Sequence, residues 1–68
     1  FQRLEKLRDE LIDGNNEALT NILEQHPELE RQHLRQLIRQ ASKEREQNKG
    51  PAASRKLFKY LRLAILEQ

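Results

Sequence analysis

Apolar residues recur along the chain at helical spacing in separate segments, and polar residues fill the positions between them. The apolar positions that start at Leu4 follow an i, i+3, i+7, i+8 pattern and predict a first helix over residues 1–13. Gly14 follows, where a helix end favours a residue that tolerates positive φ. The pattern is already running at Phe1, with no N-cap before it, so we expect the chain to be a piece of a longer protein.

Two further helices are predicted in the middle of the chain. The second spans residues 16–25, because Asn15 or Asn16 offers an N-cap to a short segment with one apolar face. The third spans residues 28–48 and carries a narrow apolar stripe. Gly50 is the expected C-terminal cap of this third helix.

The fourth predicted helix has the broadest apolar face. It spans residues 54–67, with Ser54 as its N-cap. Phe58 and Tyr60 share the apolar face with leucines, so we interpret them as core residues rather than as platforms for stacking bases. Leu63 falls outside that face, among basic residues.

These segments predict an all-α fold, a small antiparallel bundle of three to four helices in one domain over residues 1–68. The 68 residues suffice for one domain. No segment shows the alternation of a strand or the long apolar run of a membrane span. The chain contains no cysteine, so the predicted bundle has neither a disulfide nor a thiolate-bound metal.

Charge divides the chain into an acidic and a basic half. Residues 1–29 carry three basic and seven acidic side chains, a net charge of −4, whereas residues 30–68 carry ten basic and four acidic ones, a net charge of +6. On a helical wheel the basic residues of the third helix step along one side at i+4 intervals, and those of the fourth lie opposite its apolar face. The candidate nucleic-acid-binding residues are Arg31, Arg35, Arg39, Lys43, Arg45, Lys49, Arg55, Lys56, Lys59 and Arg62.

Rows of cations favour a polyanionic partner, because they meet several phosphates at once and release counterions. A solvated helix face is the simplest alternative interpretation. A second is a protein-interaction module that uses the acidic half and the exposed Leu63 and Leu66. A third is helix-turn-helix DNA binding, although the Lys49–Ala53 connection exceeds the turn of about 3–4 residues that is usual in that motif. A fourth is membrane-surface binding by the basic, amphipathic fourth helix.

Catalytic and metal-binding patterns are weak in this sequence. His26, His33 and Glu30 could be drawn as a metal site, but a tight site needs its ligands at fixed geometry. Ser54 has no histidine–acid pair positioned to activate it. There is no glycine-rich phosphate loop and no paired acid–base constellation. We expect no enzymatic activity, no cofactor, no metal and no small-molecule substrate.

Several motifs resemble the DarP (YjgA) family of bacterial dual-action ribosomal maturation proteins. They are R-Q-x-L-R-Q-L-I-R from Arg31, K-E-x-x-x-N-K from Lys43 and R-K-L-F-x-Y-L-R from Arg55, preceded by D-E-L-I-x-G-x-x-E-A-L from Asp9. The likeness covers most of the chain. It departs from the family pattern at Gly50, where a second proline is usual.

This resemblance implies a longer, wholly helical protein of two helical bundles, of which the chain is the C-terminal portion. It also implies a cytoplasmic assembly factor that binds 23S ribosomal RNA on late precursors of the large (50S) subunit, near the forming peptidyl transferase centre. The partners implied are therefore 23S ribosomal RNA and pre-50S particles, with no membrane. Asn48, within one of the matching motifs, is open to three interpretations: a helix end, a loop hydrogen bond or an RNA contact.

Overall fold

The computed structural model describes residues 2–66, which form four helices and no strand. The helices are α1 (Gln2–Ile12), α2 (Asn16–Gln25), α3 (Arg31–Glu46) and α4 (Ala52–Leu66). The all-α prediction and the small helical bundle are confirmed, and α2 has the predicted bounds. The predicted first position of α1 and last position of α4 lie outside the described residues.

α3 and α4 form an antiparallel hairpin at the centre of the fold. The end of α3 meets the start of α4, where a Glu44 carboxylate oxygen lies 2.8 Å from the backbone nitrogen of Ala53. Near the other end, the rings of His33 and Tyr60 lie 4.8 Å apart, edge to face. Two amphipathic helices joined by a short loop bury their apolar stripes most readily in this arrangement.

α1 packs against both members of the α3–α4 hairpin, and α2 packs against α1. The hydroxyl of Ser42 donates a 2.8 Å hydrogen bond to the carbonyl of Ile12, which fixes the end of α1 against α3. The Arg8 guanidinium lies 5.6 Å from the centre of the Phe58 ring, a cation–π contact that joins α1 to α4. None of the described helices is long and apolar enough to cross a bilayer.

Twelve apolar side chains from all four helices and one loop make a single core. Leu57 and Leu61 of α4 and Leu34 of α3 are completely covered. This burial is the main stabilising contribution in a domain with no cross-links. The core residues are Leu4, Leu11, Ile12, Ala18, Ile22, Leu29, Leu34, Leu37, Ala41, Leu57, Leu61 and Ala64.

Residues with positive φ end both α1 and α3. Gly14 has a φ of +87° and closes α1, as predicted, with its N–H bonded to the carbonyl of Leu11. Asn48, with a φ of 59°, does the same for α3. In each case the next N–H reaches back to the carbonyl five positions earlier, so both ends are Schellman motifs. The prediction that Gly50 caps α3 is therefore wrong, and Asn48 is a helix end.

α3 begins later than predicted, at Arg31 rather than at residue 28. A turn holds the Leu29 N–H against the carbonyl of His26 and buries the Leu29 side chain in the core. In a helix that began at residue 28, Leu29 would lie about 140° around the axis from Leu34, near the solvent side. Because Leu29 is buried in the core, α3 begins only after it, at Arg31.

α4 begins earlier than predicted, at Ala52, so Ser54 is not its N-cap. The carbonyl of Pro51 accepts the first helical hydrogen bond, from Arg55, and proline provides a backbone angle suited to a helix start. The N–H groups of Ala53 and Ser54 donate to the two carboxylate oxygens of Glu44, at 2.8 and 3.3 Å. A carboxylate from α3 thus provides the cap that we assigned to the serine.

Candidate nucleic-acid interface

The cations of α3 lie on the side of the helix that faces away from the core. All four are exposed, and within residues 2–66 none of them lies in an ion pair. Arg35 and Arg39 line an open groove together with the amides of Gln32 and Gln36. The groove therefore offers charged and neutral hydrogen-bond donors side by side. The four cations are Arg31, Arg35, Arg39 and Lys43.

Two lysines of α4 add positive charge on another side of α3, about 160° around its axis from Arg35. Lys56 and Lys59 are exposed and line a shallow depression whose other wall is formed by His33 and Leu37 of α3. The antiparallel packing of the two helices makes this juxtaposition, which neither helix alone displays. We name the four α3 cations together with Lys56 and Lys59 the basic face.

The other two candidates on α4 do not line the depression, although on the helical wheel Arg55 lies only about 40° from Lys59. Arg62 is half-buried, and on the helical wheel it lies about 40° from Phe58, the residue that contacts α1. Arg55 is exposed and lies about 20° from Arg62 on the same wheel. The four cations of α4 thus occupy one arc of about 120° on the helical wheel.

Arg45 is engaged with the acidic end of α1. Its guanidinium nitrogens lie 3.3 Å from carboxylate oxygens of Asp9 and of Asp13. The arginine is 51% exposed, so the pairs are solvated. Two carboxylates beside one guanidinium offset its positive charge, and this weakens its attraction for phosphate. Arg45 therefore contributes to joining α1 to α3, a role that the sequence did not indicate.

Lys49 lies in the loop after α3 rather than on the helix. Because α3 ends at Glu46, the side chain of Lys49 does not continue the i+4 series of cations. Its backbone N–H is bonded to the carbonyl of Glu44, at 3.0 Å, as part of the helix-ending motif. The lysine is exposed at the end of the hairpin where α4 starts.

Both α4 aromatic residues pack against the core, as the periodicity predicted. The hydroxyl of Tyr60 accepts a 3.1 Å hydrogen bond from the backbone N–H of Glu30. This bond ties the loop before α3 to α4 and fixes the tyrosine ring. Sequence reasoning missed it, because the partners are separated by 30 positions. Among the described residues, no group of three or more side chains could hold a metal ion.

The fold and its surface define a small helical bundle with a basic face on its α3–α4 hairpin. Residues 1–62 match the family model described as "Dual-action ribosomal maturation protein DarP". The chain belongs to the DarP family, and the resemblance noted from its motifs is confirmed. No solved structure matches the chain significantly.

Several curated relatives with that same name align with nearly the whole chain. The protein of Pasteurella multocida is 58% identical over 67 residues, which is 98% of this chain and 37% of the relative. That of Histophilus somni is 55% identical over 98% of this chain and 38% of its own length. That of Actinobacillus succinogenes is 52% identical over 97% of this chain and 36% of the relative. The chain thus spans little more than a third of the length of these relatives.

Proposed function

We propose that the chain is the C-terminal portion of a non-enzymatic ribosome-assembly factor that acts in the cytoplasm. In this proposal it binds 23S ribosomal RNA on late precursors of the large ribosomal subunit, through the basic face. One observation carries the proposal: residues 31–43 and 47–66 contain no acidic side chain, and the six cations of the basic face are all exposed.

The charge arrangement supports RNA rather than a general solvated surface. Lysine and arginine on a solvated helix face normally alternate with glutamate, as they do in α1. On the outer side of α3 they alternate with glutamine instead, at Gln32, Gln36 and Gln40. Amides add hydrogen bonds to sugars and base edges without repelling phosphate. The relatives are named as ribosomal maturation proteins, and a ribosomal precursor presents such an RNA surface.

Sedimentation tests the proposal directly. The full-length protein would be followed through sucrose gradients of cell lysate at low and high salt. Co-migration with large-subunit precursors at low salt, lost at high salt, is the expected result, because phosphate contacts release counterions. Crosslinking from the α3 side should then recover 23S rather than 16S ribosomal RNA. Protein that stays at the top of the low-salt gradient would contradict the proposal.

A protein-interaction module is the second candidate, supported by the exposure of Leu63 and Leu66 on α4. It predicts association that depends weakly on salt, because apolar contacts dominate such interfaces. It also predicts association that survives neutralisation of Arg35 and Arg39. Nuclease treatment of the lysate separates the two candidates, since only RNA-dependent co-migration is lost.

A further inference from the structure

A shallow depression crosses the basic face between α3 and α4. We infer that it accommodates one unpaired nucleobase of the bound RNA, while Lys56 and Lys59 contact the flanking phosphates. This inference rests on the proposed function and adds to it a preference for unpaired nucleotides. The residues that line the depression are His33, Leu37, Lys56, Lys59, Tyr60 and Leu63.

The size of the depression fits a single ring system. Its volume is about 280 Å³, slightly below the range of roughly 300–1,000 Å³ that is typical of sites for whole small molecules. Its surface is almost entirely apolar, although Lys56 and Lys59 are among the residues that line it. A phosphate or sugar gains little from such walls, whereas the flat face of a base gains dispersion and removes apolar surface from water.

The exposed side chain of Leu63 is the strongest indication that a ligand covers the depression. It is 47% exposed, a large apolar side chain that lines the depression together with Lys56 and Lys59. A base that covered it would bury apolar area, and the neighbouring Lys56 and Lys59 complement the negative charge on either side of that base. The same lysines disfavour a basic or purely apolar protein segment at this position.

The aromatic wall is held in place before any ligand arrives. The Tyr60 hydroxyl is bonded to the N–H of Glu30 at 3.1 Å, and the Tyr60 ring contacts the His33 ring at an interplanar angle of 78°. The depression therefore needs little rearrangement to accept a base, and a rigid site loses less conformational entropy on binding.

Two RNA hairpins whose loops are replaced by a non-nucleotide linker test this inference. One has a continuous stem, and the other has the same stem with a single bulged adenosine, so only the second offers an unpaired base. Binding of the chain would be measured by fluorescence anisotropy at one fixed salt concentration. We expect about five- to tenfold tighter binding of the bulged hairpin, near the lower end of what one stacked base contributes.

A matched pair of variants locates the effect. Leu63→Gln should abolish the preference for the bulged hairpin. Leu66→Gln, which changes another exposed leucine of α4 outside the depression, should retain it. Helicity of both variants would be checked by circular dichroism. With 2-aminopurine in place of the bulged adenosine, binding should change its fluorescence for the parent and for Leu66→Gln but not for Leu63→Gln.

The outcomes separate this inference from the function on which it rests. Equal affinity for the two hairpins would overturn the base site and leave RNA binding by the basic face in place. A bulge preference that survives Leu63→Gln would place the base elsewhere and overturn the assignment to this depression. Failure to bind either hairpin would overturn both the inference and the proposed function.

Discussion

The backbone N–H of Ala53 donates a 2.8 Å hydrogen bond to the carboxylate of Glu44, so a side chain of α3 caps the first turn of α4. The first N–H groups of a helix have no partner within it, and a carboxylate there also interacts favourably with the helix dipole. The same contact joins the two helices that carry the basic face at the end where their loop lies.

Removal of this cap should destabilise the chain. Glu44→Ala is expected to lower the free energy of unfolding by about 0.5–2 kcal/mol, the usual contribution of an N-cap. Glu46→Ala removes the same charge from an exposed position of α3 and should have a smaller effect. Urea unfolding followed by circular dichroism measures both. Equal stabilities for the two variants would show that the cap contributes nothing.

Neutralisation of two α3 cations should weaken RNA binding without loss of helicity. For Arg35→Gln/Arg39→Gln we expect the slope of log affinity against log salt to fall by about 1.4 to 1.8, since each phosphate contact contributes roughly 0.7–0.9. Arg3→Gln/Lys6→Gln, which removes two exposed cations of α1, is the matched control. Identical salt slopes for both double variants would contradict the assignment of α3 as the contact surface.

Arg45 should contribute less to RNA binding than Lys43, although both are exposed cations near the end of α3. Asp9 and Asp13 lie 3.3 Å from the Arg45 guanidinium and partly offset its charge. Arg45→Gln is expected to leave the salt slope nearly unchanged and to cost less than about 1 kcal/mol of stability, as is usual for exposed pairs. Lys43→Gln should lower the slope. A larger decrease in the salt slope for Arg45→Gln than for Lys43→Gln would show that RNA displaces the carboxylates from Arg45.

Substitutions of Asn48 can distinguish its role in ending α3 from a direct contact with RNA. Its φ of 59° is costly for residues with a Cβ other than asparagine or aspartate. Asn48→Ala should therefore reduce stability by about 1 kcal/mol, whereas Asn48→Gly should be nearly neutral. Thermal unfolding compares them. If Asn48→Gly preserves stability but loses RNA affinity, the amide also contacts RNA.

Truncation of the core should show the difference in burial between two neighbours on α3. Leu37 is 9% exposed, and Leu37→Ala is expected to cost about 2–5 kcal/mol. Ile38 is only partly buried, so Ile38→Ala should cost less. Leu63→Ala, at an exposed position, is the control and should stay within roughly 0.5 kcal/mol. Denaturant midpoints rank the three, and a reversed order would contradict the packing.

Helix centres were predictable from the sequence because apolar periodicity follows from which side of a helix is buried. Leu34 and Leu57 are completely covered, as their spacing indicated. Gly14 was also predictable, since few residues adopt its backbone conformation. These features depend on residues a few positions apart, and a single helix displays them.

Helix ends and charge pairing depended on contacts that are distant in sequence. α3 starts late because Leu29 turns into the core, and α4 starts early because Glu44 caps it from the preceding helix. Arg45 meets Asp9, which is 36 positions away. The depression beside Leu63 exists only where two helices meet. No pattern within one helix reports such contacts.

The separation of charge between the halves of the chain gives the molecule an electric dipole, since residues 1–29 carry −4 and residues 30–68 carry +6. Near a polyanion, such a dipole exerts a torque that turns the α3–α4 side forward before any contact forms. Fewer collisions then occur in an unproductive orientation, so the association rate rises more than net charge alone provides. In the proposed complex the acidic α1–α2 side lies outermost, where it would repel a second phosphate backbone and disfavour bridging between two RNA strands.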